Sequence, residues 1–318
     1  ISYQGLRNYL KEIVFGHDEE IDTIAQKLYM NYTAHEGEPV ESILLVGPTG
    51  TGKTETVRAA SEYLGIPYVE TNASNIVPQG IKGTSIEDVI AELYEMAGKD
   101  LQKAQRGLVF LDEFDKLNDS DLDIKSSVKN ILLTFTSGGT FPIDTDRYHF
   151  TFNSTMTNKM YAGVFDRIHD RKKTVGFNST LIDSNTLGTD EEIRRKIVSK
   201  QYFTLEELTR ISTILGFDEL TRDIKRQILL YGKKSEFHQK RKRYLRQFGI
   251  DLTAEEDFIE ALLDRIEQSE TGMRSINNLV KKTLNEAEKG LLENEEKHYK
   301  RLVLTRDTVE DPKKFDLS

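Results

Sequence analysis

The run Gly47-Pro48-Thr49-Gly50-Thr51-Gly52-Lys53-Thr54 constrains this chain more than any other feature. It fits G-x-x-x-x-G-K-[ST], between the apolar run Ile43–Val46 and a segment of helical spacing, Thr54–Tyr63. Glycines at 47, 50 and 52 let the backbone curl until successive N–H groups face one anion, and the helix start adds the positive end of its dipole. Pro48, Thr49 and Thr51 complete the cradle. Lys53 is then placed to reach the β- and γ-phosphates of a nucleotide, and the Thr54 hydroxyl to ligate Mg²⁺. A Gly-rich turn with no ligand is the alternative, and the strand-to-helix context argues against it.

A second apolar run, Leu108–Leu111, ends in Asp112-Glu113. A hard cation and an in-line water both need carboxylate oxygens. Asp112 is therefore read as a Mg²⁺-shell acid and Glu113 as the group that polarises the attacking water. Acids also suit helix starts. The phosphate loop upstream decides for ATP hydrolysis, with ATP/ADP and Mg²⁺ as the cofactors.

Composition narrows the remaining classes. The chain has 318 residues, 37% apolar and 31% charged, with no Cys and a formal charge of −9. Zero Cys excludes a disulfide scaffold, thiolate zinc and thiol catalysis, and fits the cytoplasm. The acidic balance weighs against a dedicated nucleic-acid binder. No apolar run is long enough to span a membrane.

Further strands are expected at Pro67–Glu70 and Tyr148–Phe152, and a helix at Ile86–Met96. Alternating strands and helices imply an α/β fold with a parallel sheet flanked by helices. From about Leu205 the pattern turns helical, at Leu205–Leu215, Asp218–Tyr231, Ala254–Gln268 and Ser275–Gly290, with a lone strand at Arg301–Thr305. The expected domains are a large α/β unit, 1–204, and a small, mainly helical unit, 205–318.

These residues resemble an AAA+ P-loop NTPase, and in detail the ClpX branch of the Clp/Hsp100 unfoldases. Val14-Phe15-Gly16-His17-Asp18 resembles the adenine-side segment, so Val14 and Phe15 are implied nucleotide contacts. Ala104-Gln105-Arg106-Gly107 leading into Leu111–Leu117 is a close local match. Thr271-Gly272-Met273-Arg274 resembles the sensor-2 segment, which would bring Arg274 to the phosphates from a helical lid. The resemblance implies an arginine finger acting on the neighbouring subunit. Arg194 and Arg195 are the candidates, and Arg195 is chosen. A sensor-1 residue should close the fourth strand within Asn153–Thr155. Asn153 is chosen, with Asn158 as its rival.

The same resemblance implies a homo-hexameric ring acting on protein substrates. Gly80-Ile81-Lys82-Gly83 aligns with the pore loop, though Ile81 replaces its aromatic, and a second pore loop at Ser137–Pro142 looks very short. Val175-Gly176-Phe177 resembles the tip that docks on a ClpP-like peptidase. The implied activity is ATP-driven protein unfolding and translocation. The alternatives are a peptidase-independent remodeller and a nucleic-acid-handling ATPase. The run from Arg222 to Arg246 holds ten Lys or Arg. It reads as a solvated helix face in the first two cases and as a nucleic-acid patch in the last.

Overall fold

A computed structural model of the chain describes residues 1–78, 81, 83–118, 122–145, 147–169, 186–268, 273–293 and 299–318. It divides into two compact units. One comprises Ile1–Lys11, His17–Pro48 and Gly52–Glu219, and the other Glu12–Gly16, Thr49–Thr51 and Leu220–Ser318.

The first unit is built on a five-stranded parallel sheet. Its strands are β1 (Ile43–Val46), β2 (Tyr68–Asn72), β3 (Leu108–Asp112), β6 (Asn158–Gly163) and β7 (Thr213–Gly216), in the order β2-β3-β6-β1-β7. β1 and Leu108–Leu111 of β3 are buried on both faces, as strands covered by helices must be. The helices Asp18–Thr33, Lys53–Leu64, Ile86–Met96 and Asp190–Ser199 belong to this unit. Two of them start at capping boxes, Ser85 with Asp88 and Thr189 with Glu192.

The expected fourth strand, Tyr148–Phe152, is corrected. It lies in β5 (His149–Asn153), which pairs antiparallel with β4 (Thr140–Asp144) as a separate hairpin. Phe152 of β5 is buried while His149, Thr151 and Asn153 are exposed, the alternation of a one-faced strand. The parallel strand in that place is β6, buried along its whole length. Its apolar character is masked in the sequence by Asn158, Lys159 and Gly163. The hairpin also runs through Phe141 and Pro142, so the short second pore loop expected at Ser137–Pro142 is partly strand, and the hairpin turn falls between Asp144 and His149.

The boundary expected at 204/205 also shifts. Leu205–Leu215 is not one helix. Only Leu205–Leu208 is helical, and Thr213–Gly216 pairs in parallel with Ile43–Val46. The β-branched Ile211, Thr213 and Ile214 favour the extended chain. The large unit therefore runs to Glu219.

The second unit holds helices Arg222–Tyr231, Glu236–Phe248, Glu256–Glu267 and Met273–Glu293. They pack with a three-stranded sheet of β8 (Asp251–Ala254), β9 (Arg301–Leu304) and β10 (Asp316–Leu317), in the order β10-β9-β8. Its core includes Phe237, Tyr244, Phe258, Leu262, Leu284 and Leu302. Part of the basic run is paired within this unit. Arg222 pairs with Glu260, Asp264 and Glu267, Arg226 with Glu256 and Glu260, and Lys240 with Glu288. These contacts favour the solvated-face reading over a nucleic-acid patch.

Candidate active site

The phosphate loop leaves β1 at Gly47, whose φ of +154° and surroundings admit no side chain. A Cβ there would sit 2.0 Å from the Phe217 carbonyl oxygen. Gly50 and Gly52 also have positive φ, and Gly52 is the left-handed N-cap of the helix Lys53–Leu64. Lys53 is 7% exposed, and its Nζ donates to the carbonyl oxygens of Gly47 and Pro48, each at 2.6 Å. The ammonium is thus held inside the curl of its own loop, where an incoming phosphate would meet it.

β3 brings the acids to the same edge of the sheet. The Thr54 hydroxyl donates to Asp112 Oδ2 at 3.4 Å, so the two expected metal ligands converge. Their oxygen donors suit Mg²⁺, which uses one or two protein oxygens, waters and substrate phosphates. Among the described residues no group of three or more His, Asp or Glu forms a metal site by itself.

Glu113 turns out of the strand with φ +55°, the left-handed region that non-glycine residues seldom adopt. Its backbone N–H donates to Asp112 Oδ1 at 2.8 Å, which supports the turn. Ser74 Oγ donates to Glu113 Oε2 at 2.6 Å. Nothing in the sequence singled Ser74 out. The β2–β3 register sets Asn72 opposite Asp112, and the chain beyond each strand then brings Ser74 to Glu113. Two residues on, Asp115 is buried and its Oδ2 accepts the N–H of Phe165 at 3.2 Å, tying β3 to the end of β6. Burial raises the pKa of this carboxyl above its ordinary value.

The other expected residues divide. Arg195 projects from the helix Asp190–Ser199, 71% exposed, with Glu191 at 3.5 Å. Arg194 points the other way. It binds the Asp190 carboxylate and donates to the carbonyls of Leu208, Ile211 and Ser212. Asn153 is corrected in position: it ends the hairpin strand β5, is exposed, and its Oδ1 accepts the Thr155 N–H. Its rival Asn158 opens β6 at the opposite edge, bonded to Asn31. Neither closes a strand of the parallel sheet. Val14 is buried and Phe15 half-buried. Arg274 is the second residue of the helix Met273–Glu293. Ile81 is exposed. Val175, Gly176 and Phe177 lie outside the described residues, as do Gly80, Lys82, Thr271 and Gly272.

A glycine-curled loop holding a lysine, with a threonine hydroxyl and two acids at the carboxyl edge of a parallel sheet, defines a P-loop NTPase. Residues 43–162 match the family described as "ATPase family associated with various cellular activities (AAA)". The chain is 24% identical over 315 residues to the "ATP-dependent Clp protease ATP-binding subunit ClpX" of Treponema denticola, covering 89% of this chain and 76% of that one. The protein of the same description from Bacteroides fragilis is 26% identical over 310 residues, covering 86% and 73%. That from Azotobacter vinelandii is 34% identical over 125 residues, 35% of this chain and 28% of that one. The chain is a ClpX-like AAA+ ATPase, a nucleotide-binding enzyme that hydrolyses ATP. Among the described residues, no helix is long and apolar enough to cross a membrane.

Proposed function

We propose that the chain is the ATPase subunit of a Clp-type protease, using ATP hydrolysis to unfold and translocate protein substrates. The observation that carries the reading is the approach of Thr54 Oγ1 to Asp112 Oδ2, 3.4 Å, with Glu113 turned out beside them. Thr54 and Asp112 are the residues that would hold Mg²⁺, which would supply neutralisation of phosphate charge when bound. Lys53 exchanges its two carbonyl partners for phosphate oxygens. Glu113 accepts a hydrogen bond from the attacking water, and Ser74 fixes the direction of that carboxylate. By the sequence resemblance, Val14 and Phe15 are assigned to the base and Arg274 to the phosphates.

The protein works as a homo-hexameric ring in the cytoplasm. Arg195 is the finger offered to the neighbouring subunit's nucleotide. Its support is exposure, since Arg194 is committed within its own subunit. Asn153 keeps a sensor role only by the sequence resemblance, without the strand end that role needs. Exposed Ile81 grips the translocating chain. Val175, Gly176 and Phe177 dock on a ClpP-like peptidase. The test is ATP-dependent degradation of a tagged, folded protein with and without that peptidase. Degradation only with both supports the reading. ATP-dependent unfolding without degradation points to a remodeller, and neither activity removes the proposal.

A further inference from the structure

At the amino ends of the strands, the edge opposite the phosphate loop, the large unit has a cavity of about 200 Å³. Tyr32, Ile66, Pro67 and Met156 give it apolar walls, and Lys103 and Arg106 bring two cations. Among the described residues no Asp or Glu lines it. The surrounding segments are the last turn of the helix Asp18–Thr33, the turn between Lys53–Leu64 and β2, the approach to β3, and the turn between β5 and β6.

The local charge can be followed group by group. Three helices, Asp18–Thr33, Lys53–Leu64 and the short Leu101–Gln105 that Arg106 caps, finish beside the cavity. Each brings roughly half a negative charge at its carbonyl end. Arg106 offsets the first by donating from Nη1 to Ala34 O at 3.2 Å. Among the described residues no other contact of this guanidinium is seen, so its Nε and Nη2 edge is free for a planar acceptor. Lys103 stands at the rim, 3.8 Å from Asp100 and largely in water. With Asp100 beside Lys103 and the helix ends counted, charge at the mouth roughly balances, so the free edge of Arg106, above walls that are mostly hydrocarbon, is the feature that selects an anion.

We propose that this cavity binds a small carboxylate with an apolar body, of the size of an aromatic or branched-chain acid. The carboxylate accepts from the free edge of Arg106, Lys103 adds a second charge, and the apolar part lies on Ile66, Pro67 and Met156. The site is separate from that of the nucleotide. The 12-residue helix Lys53–Leu64 starts at one and ends at the other, a length of ~18 Å.

Benzoate is the probe. The chain has five methionines, so ¹³C-methyl methionine labelling gives a simple spectrum, with Met156 assigned through Met156→Leu. We expect the Met156 methyl to shift saturably with benzoate up to about 20 mM, the millimolar range being that of so small a ligand. The methyl of Met160, buried in the sheet, should stay in place. Benzamide, the same shape without the charge, should bind at least tenfold more weakly. Arg106→Gln, which keeps a donor for Ala34 O, should weaken benzoate tenfold or more. Lys103→Gln, a substitution at the rim that does not threaten folding, should weaken it two- to fivefold. An unmoved Met156, equal binding of benzamide, or a Lys103→Gln protein that binds as the parent does would each overturn the proposal.

Discussion

Arg194 and Arg195 are neighbours in sequence with opposite surroundings, and replacing each by alanine separates a fold role from a catalytic one. Arg194 is 18% exposed and binds Asp190 and the carbonyls of Leu208, Ile211 and Ser212, at 2.7, 2.9 and 3.3 Å. It thereby fastens the helix Asp190–Ser199 to the segment leading into β7. Asp190 also accepts the N–H of Ile214 in that strand at 2.6 Å. Arg194→Ala strands a carboxylate and up to three carbonyls. Because Asp190 is partly hydrated, we expect a loss of about 2–4 kcal/mol rather than the full cost of a broken buried pair. At about 2–4 °C per kcal/mol for a unit of this size, the melting temperature should fall by roughly 5–15 °C. Arg195 makes one exposed i,i+4 pair with Glu191, worth about 0.3–0.5 kcal/mol, so Arg195→Ala should melt within about 2 °C of the parent. Its ATP turnover should instead drop by ~10³-fold, the lower range for a trans-acting arginine. Mixing it with Lys53→Ala subunits should restore part of the activity. Far-UV circular dichroism and a coupled ATPase assay read both effects. A stable Arg194→Ala protein that cannot hydrolyse ATP, beside a fully active Arg195→Ala protein, would refute the reasoning.

Gly47→Ala places a Cβ 2.0 Å from Phe217 O, so it should weaken binding of a fluorescent ATP analogue at least ~10-fold; unchanged affinity would mean that the loop is not the cradle. Ser74→Ala should leave nucleotide affinity intact and lower turnover several-fold, because Glu113 loses its 2.6 Å donor; equal turnover would make Ser74 incidental. Lys159, buried in β6, has its pKa depressed by burial from 10.5 to about 8. The unfolded chain then holds that proton more tightly than the folded one. The penalty, up to about 3 kcal/mol, is full below pH 8 and fades as pH rises toward 10.5. Lys159→Met should therefore stabilise the protein at pH 7.5 and narrow its lead at pH 9.5, as denaturation midpoints would show; a constant difference would refute the linkage.

What could be read from the sequence follows the range of each interaction. The phosphate loop and the Asp112-Glu113 pair are short-range patterns, in which spacing alone fixes which groups share a turn. β1 and β3 were equally plain as unbroken apolar runs. β6 was hidden because Asn158, Lys159 and Gly163 break its apolar run, although every residue of it is buried. β7 was lost behind Leu205 and Leu208, whose spacing suits a longer helix than the one that forms. Its partner β1 lies far away in the chain, so no local signal marks the pairing. The sheet of the second unit likewise joins β8 to β9 across intervening helices, though over a much shorter stretch of chain. Ser74 meets Glu113 through the β2–β3 register, which residue type does not encode. Asn153 ends a hairpin strand whose alternating pattern, unlike the apolar run of β6, is visible in the sequence.

The proposed hydrolysis depends on Glu113 as the group that directs water at the nucleotide. Glu113→Gln keeps the size of the side chain, the Ser74 partner and the Thr54–Asp112 pair, and removes only the charge. Purified protein should be titrated with a fluorescent ATP analogue and assayed for phosphate release under the same conditions. We expect binding within about twofold of the parent and turnover reduced by ~10²–10⁴-fold, the range general-base groups contribute. Parental turnover with intact binding would contradict the role given to Glu113 and, with it, the assignment of this edge of the sheet as the site of hydrolysis.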